Sequence, residues 1–80
     1  MRKFNNKSNL AGPIIKKYRE EQNITKEDLC TKLQLLGISI DRIHLYRLEN
    51  GSVIIKDFEL IAISKILKLD FDVLKQALDN

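Results

Sequence analysis

Apolar residues in this chain recur at three- and four-residue spacing, and no segment of any length alternates with period two. That periodicity is the tightest constraint on the fold, because it matches one face of a helix and not the pleat of a strand. It comes in short blocks punctuated by capping residues. Gly12-Pro13 reads as a helix start, with Pro13 where its missing N–H costs nothing. Ile15, Tyr18 and Gln22 follow on one face with Arg19 beside them, Ile14 falls off it, and Asn23 closes the helix. Thr25 is an N-cap candidate with Asp28 three residues on and Glu27 beside it, acids that suit the dipole of a first turn. Leu29, Leu33 and Leu36 form the stripe of a second helix, and Gly37 fits its C-terminal end. Asp41 caps a third helix with Leu45 and Leu48 inward, ended by Asn50-Gly51. Asp57 opens a fourth helix through Leu67, with Phe58, Ile61, Ile63 and Leu67 mostly inward and the choice among Leu60, Ile61 and Ile63 left open. Asp70 caps a last short helix, Phe71–Leu78. The predicted fold is all-α, a compact bundle of five short helices.

Size and composition narrow the function. Eighty residues make one domain, and a chain of that size buries only ~60–65% of its unfolded surface, which leaves little room for an enclosed catalytic pocket. Hydrophobic residues at 44% against 31% charged give an ordinary globular balance rather than a disordered one. The net charge of +3 resides entirely in the first nine residues, where Arg2, Lys3 and Lys7 meet no acid. Residues 1–9 therefore read as a disordered basic arm and residues 10–80 as the folded domain. The body beyond the arm is neutral, so a nucleic-acid footprint has to be argued from local placement rather than from the total. Residues 57–80 carry five acids against three lysines, which leaves the positive side of the body between residues 10 and 56.

Several classes are not expected. The basic N-terminus has no apolar stretch after it, so it does not read as a signal peptide. The longest apolar run, Leu60–Ile63, is far short of a membrane span. A lone cysteine, Cys30, cannot form an internal disulfide, and a cytoplasmic location is the simplest expectation. One histidine and one cysteine do not make a zinc site. No nucleophile elbow and no glycine-rich phosphate loop is present, so neither catalysis nor a cofactor is expected.

The stretch DRIHLYRLENG, residues 41–51, raises the functional question, because its outward positions carry Arg42, His44, Tyr46 and Arg47. Two helices joined by a short turn, the second ended by Glu49-Asn50-Gly51, resemble a helix-turn-helix. The stretches GPIIKKYREEQNITKEDLCTKLQ, LYRLENG and ELIAISKILKLDFDVL are similar to the Cro/C1-type domains of phage repressors and small bacterial regulators, the XRE family, over residues 11–75. The most specific part of the match pairs Ile24-Thr25-Lys26-Glu27-Asp28-Leu29 with Arg47-Leu48-Glu49-Asn50-Gly51. The resemblance implies a lambda-repressor-like bundle whose second and third helices form the helix-turn-helix. It also implies a sequence-specific regulator of transcription that binds double-stranded DNA, with repression the expected outcome and a homodimer the expected form.

Residue by residue, the resemblance puts Arg42 and Ile43 at the first base-reading positions and Arg47 at the next, one turn on. Tyr46 could pack on a thymine methyl, bond a phosphate, or shield the junction of helices 2 and 3. His44 is open equally to reading a base and to shielding that junction. Ile43 could meet a thymine methyl or bury itself against Ile38 or Ile40. Thr25 and Lys26 at the start of helix 2, with Asn50, Ser52 and Lys56, align with phosphate contacts, although Lys56 alone reads equally as a solvated lysine. Arg19 and Glu49 align with a structural ion pair. The chain departs from the family in having about five more residues between Leu33 and Asp41 than the shortest members, read as an extra turn of helix 2 with Ile38 and Ile40 folded over the core. Cys30 stands where the family prefers alanine, and Tyr46 where a small polar residue is common. A second class stays open: a protein-interaction module or antitoxin of the same fold, meeting a protein partner through its acidic C-terminal helices. Ile54, Ile55, Phe71 and Leu74 mark the region expected to carry a dimer interface, and they read equally as core.

Overall fold

The boundaries of each helix follow from chain chemistry at its ends. The computed structural model describes residues 7–78. It contains α1 (Gly12–Glu21), α2 (Lys26–Leu35), α3 (Arg42–Glu49), α4 (Asp57–Leu67) and α5 (Phe71–Lys75), with a single 3₁₀ turn at Gln76–Leu78. At α2 the Thr25 hydroxyl accepts from the Asp28 N–H at 3.0 Å, and the Asp28 carboxylate accepts from the Thr25 N–H at 3.3 Å, a reciprocal capping box. Asp41 and Asp70 cap α3 and α5 by accepting from the N–H groups of His44 and Val73 at 2.7 and 2.9 Å. At α4 the Glu59 carboxylate accepts from the Lys56 N–H at 2.9 Å.

The first four helices stop in the same way. Asn23, Gly37, Gly51 and Lys68 take left-handed φ values of 58°, 85°, 79° and 60°. The following residue then donates back across the turn: Ile24 to Arg19, Ile38 to Leu33, Ser52 to Arg47 and Leu69 to Ser64, at 2.9 to 3.1 Å. Orphan carbonyls at each helix end are satisfied by this closure. Glycine adopts such a φ without a Cβ penalty and asparagine tolerates it, which made three of the four stops legible; nothing in the side chain of Lys68 announces the fourth.

The core is drawn from every helix but the last. Ile15, Leu29, Leu33, Leu45, Leu48, Ile63 and Leu67 are almost wholly buried, and Ile40, Ala62 and Leu69 close its edges. α5 has no buried residue, but Val73 and Leu74 pack on the core from outside. Two expectations fail here. Leu36 is 45% exposed, because α2 ends at Leu35 and Leu36 belongs to the terminating turn; Ile38 and Ile40 take its place against the core. Phe58 and Ile61 are also exposed, at 51% and 69%. The inward face of α4 is Glu59, Ala62, Ile63 and Leu67, a phase set by Glu59 turning back onto the Lys56 N–H.

The chain just before α1 is a strap rather than a free arm. Ser8 donates its N–H to the Gly51 carbonyl at 2.7 Å, and Lys7 donates to the Asn50 carbonyl at 2.9 Å. Asn9 does three jobs: its amide nitrogen donates to the Leu48 and Val53 carbonyls, and its oxygen accepts from the Gly12 N–H at 2.7 Å. The expected arm over residues 1–9 is thus tied down at residues 7–9, while its residues 1–6, with Arg2 and Lys3, lie outside the described residues. The strap brings the start of α1 onto the end of α3, where a Cβ at Gly12 would run into the Leu48 carbonyl oxygen and lie 2.8 Å from that of Glu49.

Candidate nucleic-acid interface

α3 is eight residues long, and its two sides differ sharply. Leu45, Leu48 and Glu49 are buried, whereas Arg42, Ile43, Tyr46 and Arg47 are exposed. Successive residues turn by about 100°, so those four share one outward arc. Ile43 is 63% exposed and Tyr46 58%. Of the readings open for Ile43, burial against Ile38 or Ile40 is therefore excluded. The Arg47 side chain has no hydrogen bond or ion pair among the described residues. Arg42 pairs with Glu27 on α2, both side chains being largely exposed.

The flank of this arc is built by α1 and α2. A shallow groove of about 260 Å³ is lined by Lys26, Arg42, Ile43 and Tyr46. A larger one of about 660 Å³ runs between α1 and α3, with Pro13, Lys16, Lys17, Glu20, Lys26, Tyr46 and Asn50 on its walls. Lys26 thus stands where both grooves meet, at the first turn of α2, whose leading N–H groups carry the positive end of the helix dipole. Lys16 and Lys17 escaped the sequence reading. They share the exposed side of α1 with Pro13 and Glu20, a signal that gains meaning only once α1 is known to lie beside α3.

His44 is not part of the arc. Its Nε2 lies 3.3 Å from the Glu59 carboxylate, so it bridges α3 to the start of α4 and does not face outward with Arg42 and Arg47. The physical reason is phase: His44 lies on the margin of α3 next to buried Leu48, and the carboxylate of Glu59 draws its ring. Neither reading open for His44 describes this placement: the ring meets Glu59 of α4 rather than the junction of α2 and α3, and it lies off the outward arc. Of the phosphate candidates, Lys26 and Asn50 line the groove between α1 and α3. Asn50 and Ser52 form a tight polar turn in which Asn50 Oδ1 accepts from the Ser52 N–H at 3.0 Å, and the Ser52 hydroxyl donates to the Arg47 carbonyl at 3.3 Å. The Thr25 hydroxyl is engaged as the α2 cap. Lys56 reaches 5.8 Å above the Phe58 ring at the head of α4, away from the grooves that flank the arc.

Beneath the arc, Arg19 and Glu49 form a two-pronged pair. Arg19 Nε and Nη2 donate to the two Glu49 oxygens at 2.7 and 3.1 Å, and Nη1 donates to the Ile24 carbonyl at 2.8 Å. Both residues are at least 95% buried, so the pair locks α1, the lead into α2, and α3 into one angle. The bond to Glu49 holds the Arg19 guanidinium above its ordinary pKa, against the opposing effect of burial. Cys30, half-buried and packed against the core, has its thiol pushed up by burial and then by the Asp41 carboxylate. Among the described residues no group of acidic, histidine and cysteine side chains could hold a metal ion, and no helix is long and apolar enough to cross a membrane.

Two helices held at a fixed angle, the second presenting basic and apolar side chains, define a helix-turn-helix. A helix-turn-helix family model matches residues 15–74, and the chain belongs to that family, of the Cro/C1 type. No curated protein and no solved structure matches the chain. Membership supports a DNA-binding regulatory domain at the level of the family.

Proposed function

We propose that this protein is a sequence-specific regulator, a repressor, that lays α3 in the major groove of double-stranded DNA. The observation that carries the reading is the outward arc of α3: two arginines, Arg42 and Arg47, flank the exposed Ile43 and Tyr46 next to the N-terminus of α2. An arginine fork donates two bonds to O6 and N7 of guanine, and an exposed apolar side chain suits the methyl of thymine, so this mixture can discriminate bases. Thr25, Lys26, Asn50 and Ser52, with Lys16 and Lys17 added by the structure, serve the backbone and fix register without carrying sequence information. Lys56 is the weakest of the phosphate candidates, since it lies off the flanking grooves.

Two copies complete the site. One α3 touches few bases, and a second on a half-site about 34 Å away would supply the missing specificity. The apolar groove of about 360 Å³ between the start of α1 and α5, lined by Leu10, Ile55, Leu60, Phe71 and Leu74, supports that pairing. The same exposed surface favours the second reading, a protein-binding module or antitoxin that meets a protein partner through α4 and α5.

The test is selection of bound sites from a random duplex pool at about 150 mM salt, with the native chain against an Arg42→Ala, Arg47→Ala variant. We expect the native chain to enrich a palindrome whose guanines the variant no longer selects, with each lost bidentate contact worth ~1–3 kcal/mol of discrimination. A folded native chain that enriches nothing would move the account to the protein-binding reading.

A further inference from the structure

Arg42 does not stand alone at the head of α3. Its Nη1 donates to the Glu27 carboxylate in the first turn of α2, with side chains 65% and 70% exposed. The contact is the one direct ion pair between the two helices of the helix-turn-helix among the described residues. It is an odd placement for stability, because an exposed pair contributes little. It is odder still for affinity, because a carboxylate there lies beside Lys26 and the α2 N-terminus, where a phosphate would approach. We infer that Glu27 is a positioning residue for base recognition: from the first turn of α2 it anchors Arg42 through Nη1 and occupies the place a phosphate would take, which leaves the other guanidinium donors for a base edge. This rests on the DNA-reading function proposed above.

A guanidinium has five N–H donors in a rigid fork. Using one on Glu27 leaves enough for a two-pronged contact with guanine while removing the freedom to rotate. An arginine released from Glu27 is drawn to the nearest phosphate, which carries no sequence information. Glu27 thereby lowers binding to every duplex and lowers it least for the duplex with the right base.

The experiment measures binding of the native chain, Glu27→Gln, Arg42→Ala and the double variant to two labelled duplexes, the native chain's selected site and a scrambled site of equal composition, across a salt series. Glu27 is exposed and its glutamine variant keeps the shape, so a thermal melt serves as the folding control. We expect Glu27→Gln to bind the scrambled duplex more tightly, with the slope of log K against log salt steeper by about one. We also expect the ratio of selected to scrambled affinity to fall roughly threefold. In the Arg42→Ala background the same change should leave the ratio where it was, since the effect runs through Arg42. An unchanged ratio in Glu27→Gln, with the native chain still discriminating, overturns the inference alone. A native chain that does not discriminate overturns it together with the DNA-reading function.

Discussion

Arg19 and Glu49 show how one pair of charges can serve a site it never touches. Both are buried, and each is satisfied: Glu49 by two bonds from Arg19, Arg19 by those and the Ile24 carbonyl. Such a pair adds little net stability over an apolar substitute, but removing one partner leaves a bare buried charge. Glu49→Ala should therefore lower stability by about 3–5 kcal/mol, a fall in Tm of roughly 12–40 °C for a domain of this size. A melt matching that of the native chain would show that the pair holds nothing. The pairing was legible as a family resemblance; that it is shared with the lead into α2 was not, since a backbone carbonyl leaves no mark in a sequence. His44 fared differently. Spacing put it outward, yet the partner that turns it aside, Glu59, lies fifteen residues on in another helix.

At the scale of elements, the angle between α1 and α3 depends on Gly12 having no side chain. A methyl there would overlap the Leu48 carbonyl oxygen and crowd that of Glu49, both backbone atoms of α3 with little room to yield. We expect Gly12→Ala to destabilise by at least ~2 kcal/mol, measured by chemical denaturation, because overpacking against backbone forces the two helices apart. An alanine tolerated without loss would mean that the contact is looser than described. Gly12 read from the sequence only as a helix start, since close approach between helices is a tertiary fact. The helix ends were more transparent. Thr25, Asp41, Asp70, Gly37 and Gly51 announced their roles because caps are made within a few residues. The inward face of α4 did not, because Phe58, Leu60, Ile61, Ile63, Ile66 and Leu67 fall all round the helix and periodicity alone cannot choose a phase.

For the whole molecule, dimensions of 31 × 24 × 19 Å mean that one copy spans less than a turn of duplex. It can offer one short helix to one stretch of major groove, and the rest of the fold serves to hold that helix at a set angle. Five of the eleven basic residues in the neutral body, Lys16, Lys17, Lys26, Arg42 and Arg47, lie on α3 or line the grooves beside it, together with Glu20, Glu21 and Glu27. The central claim is that the outward arc of α3 is the surface that meets DNA. The most direct test follows the backbone amide signals of the isotopically labelled chain by NMR as a duplex selected by it is added. The account predicts that the signals of Lys26, Arg42, Ile43, Tyr46 and Arg47 move first and furthest. Movement confined to α4 and α5, with α3 undisturbed while the duplex is bound, would contradict it.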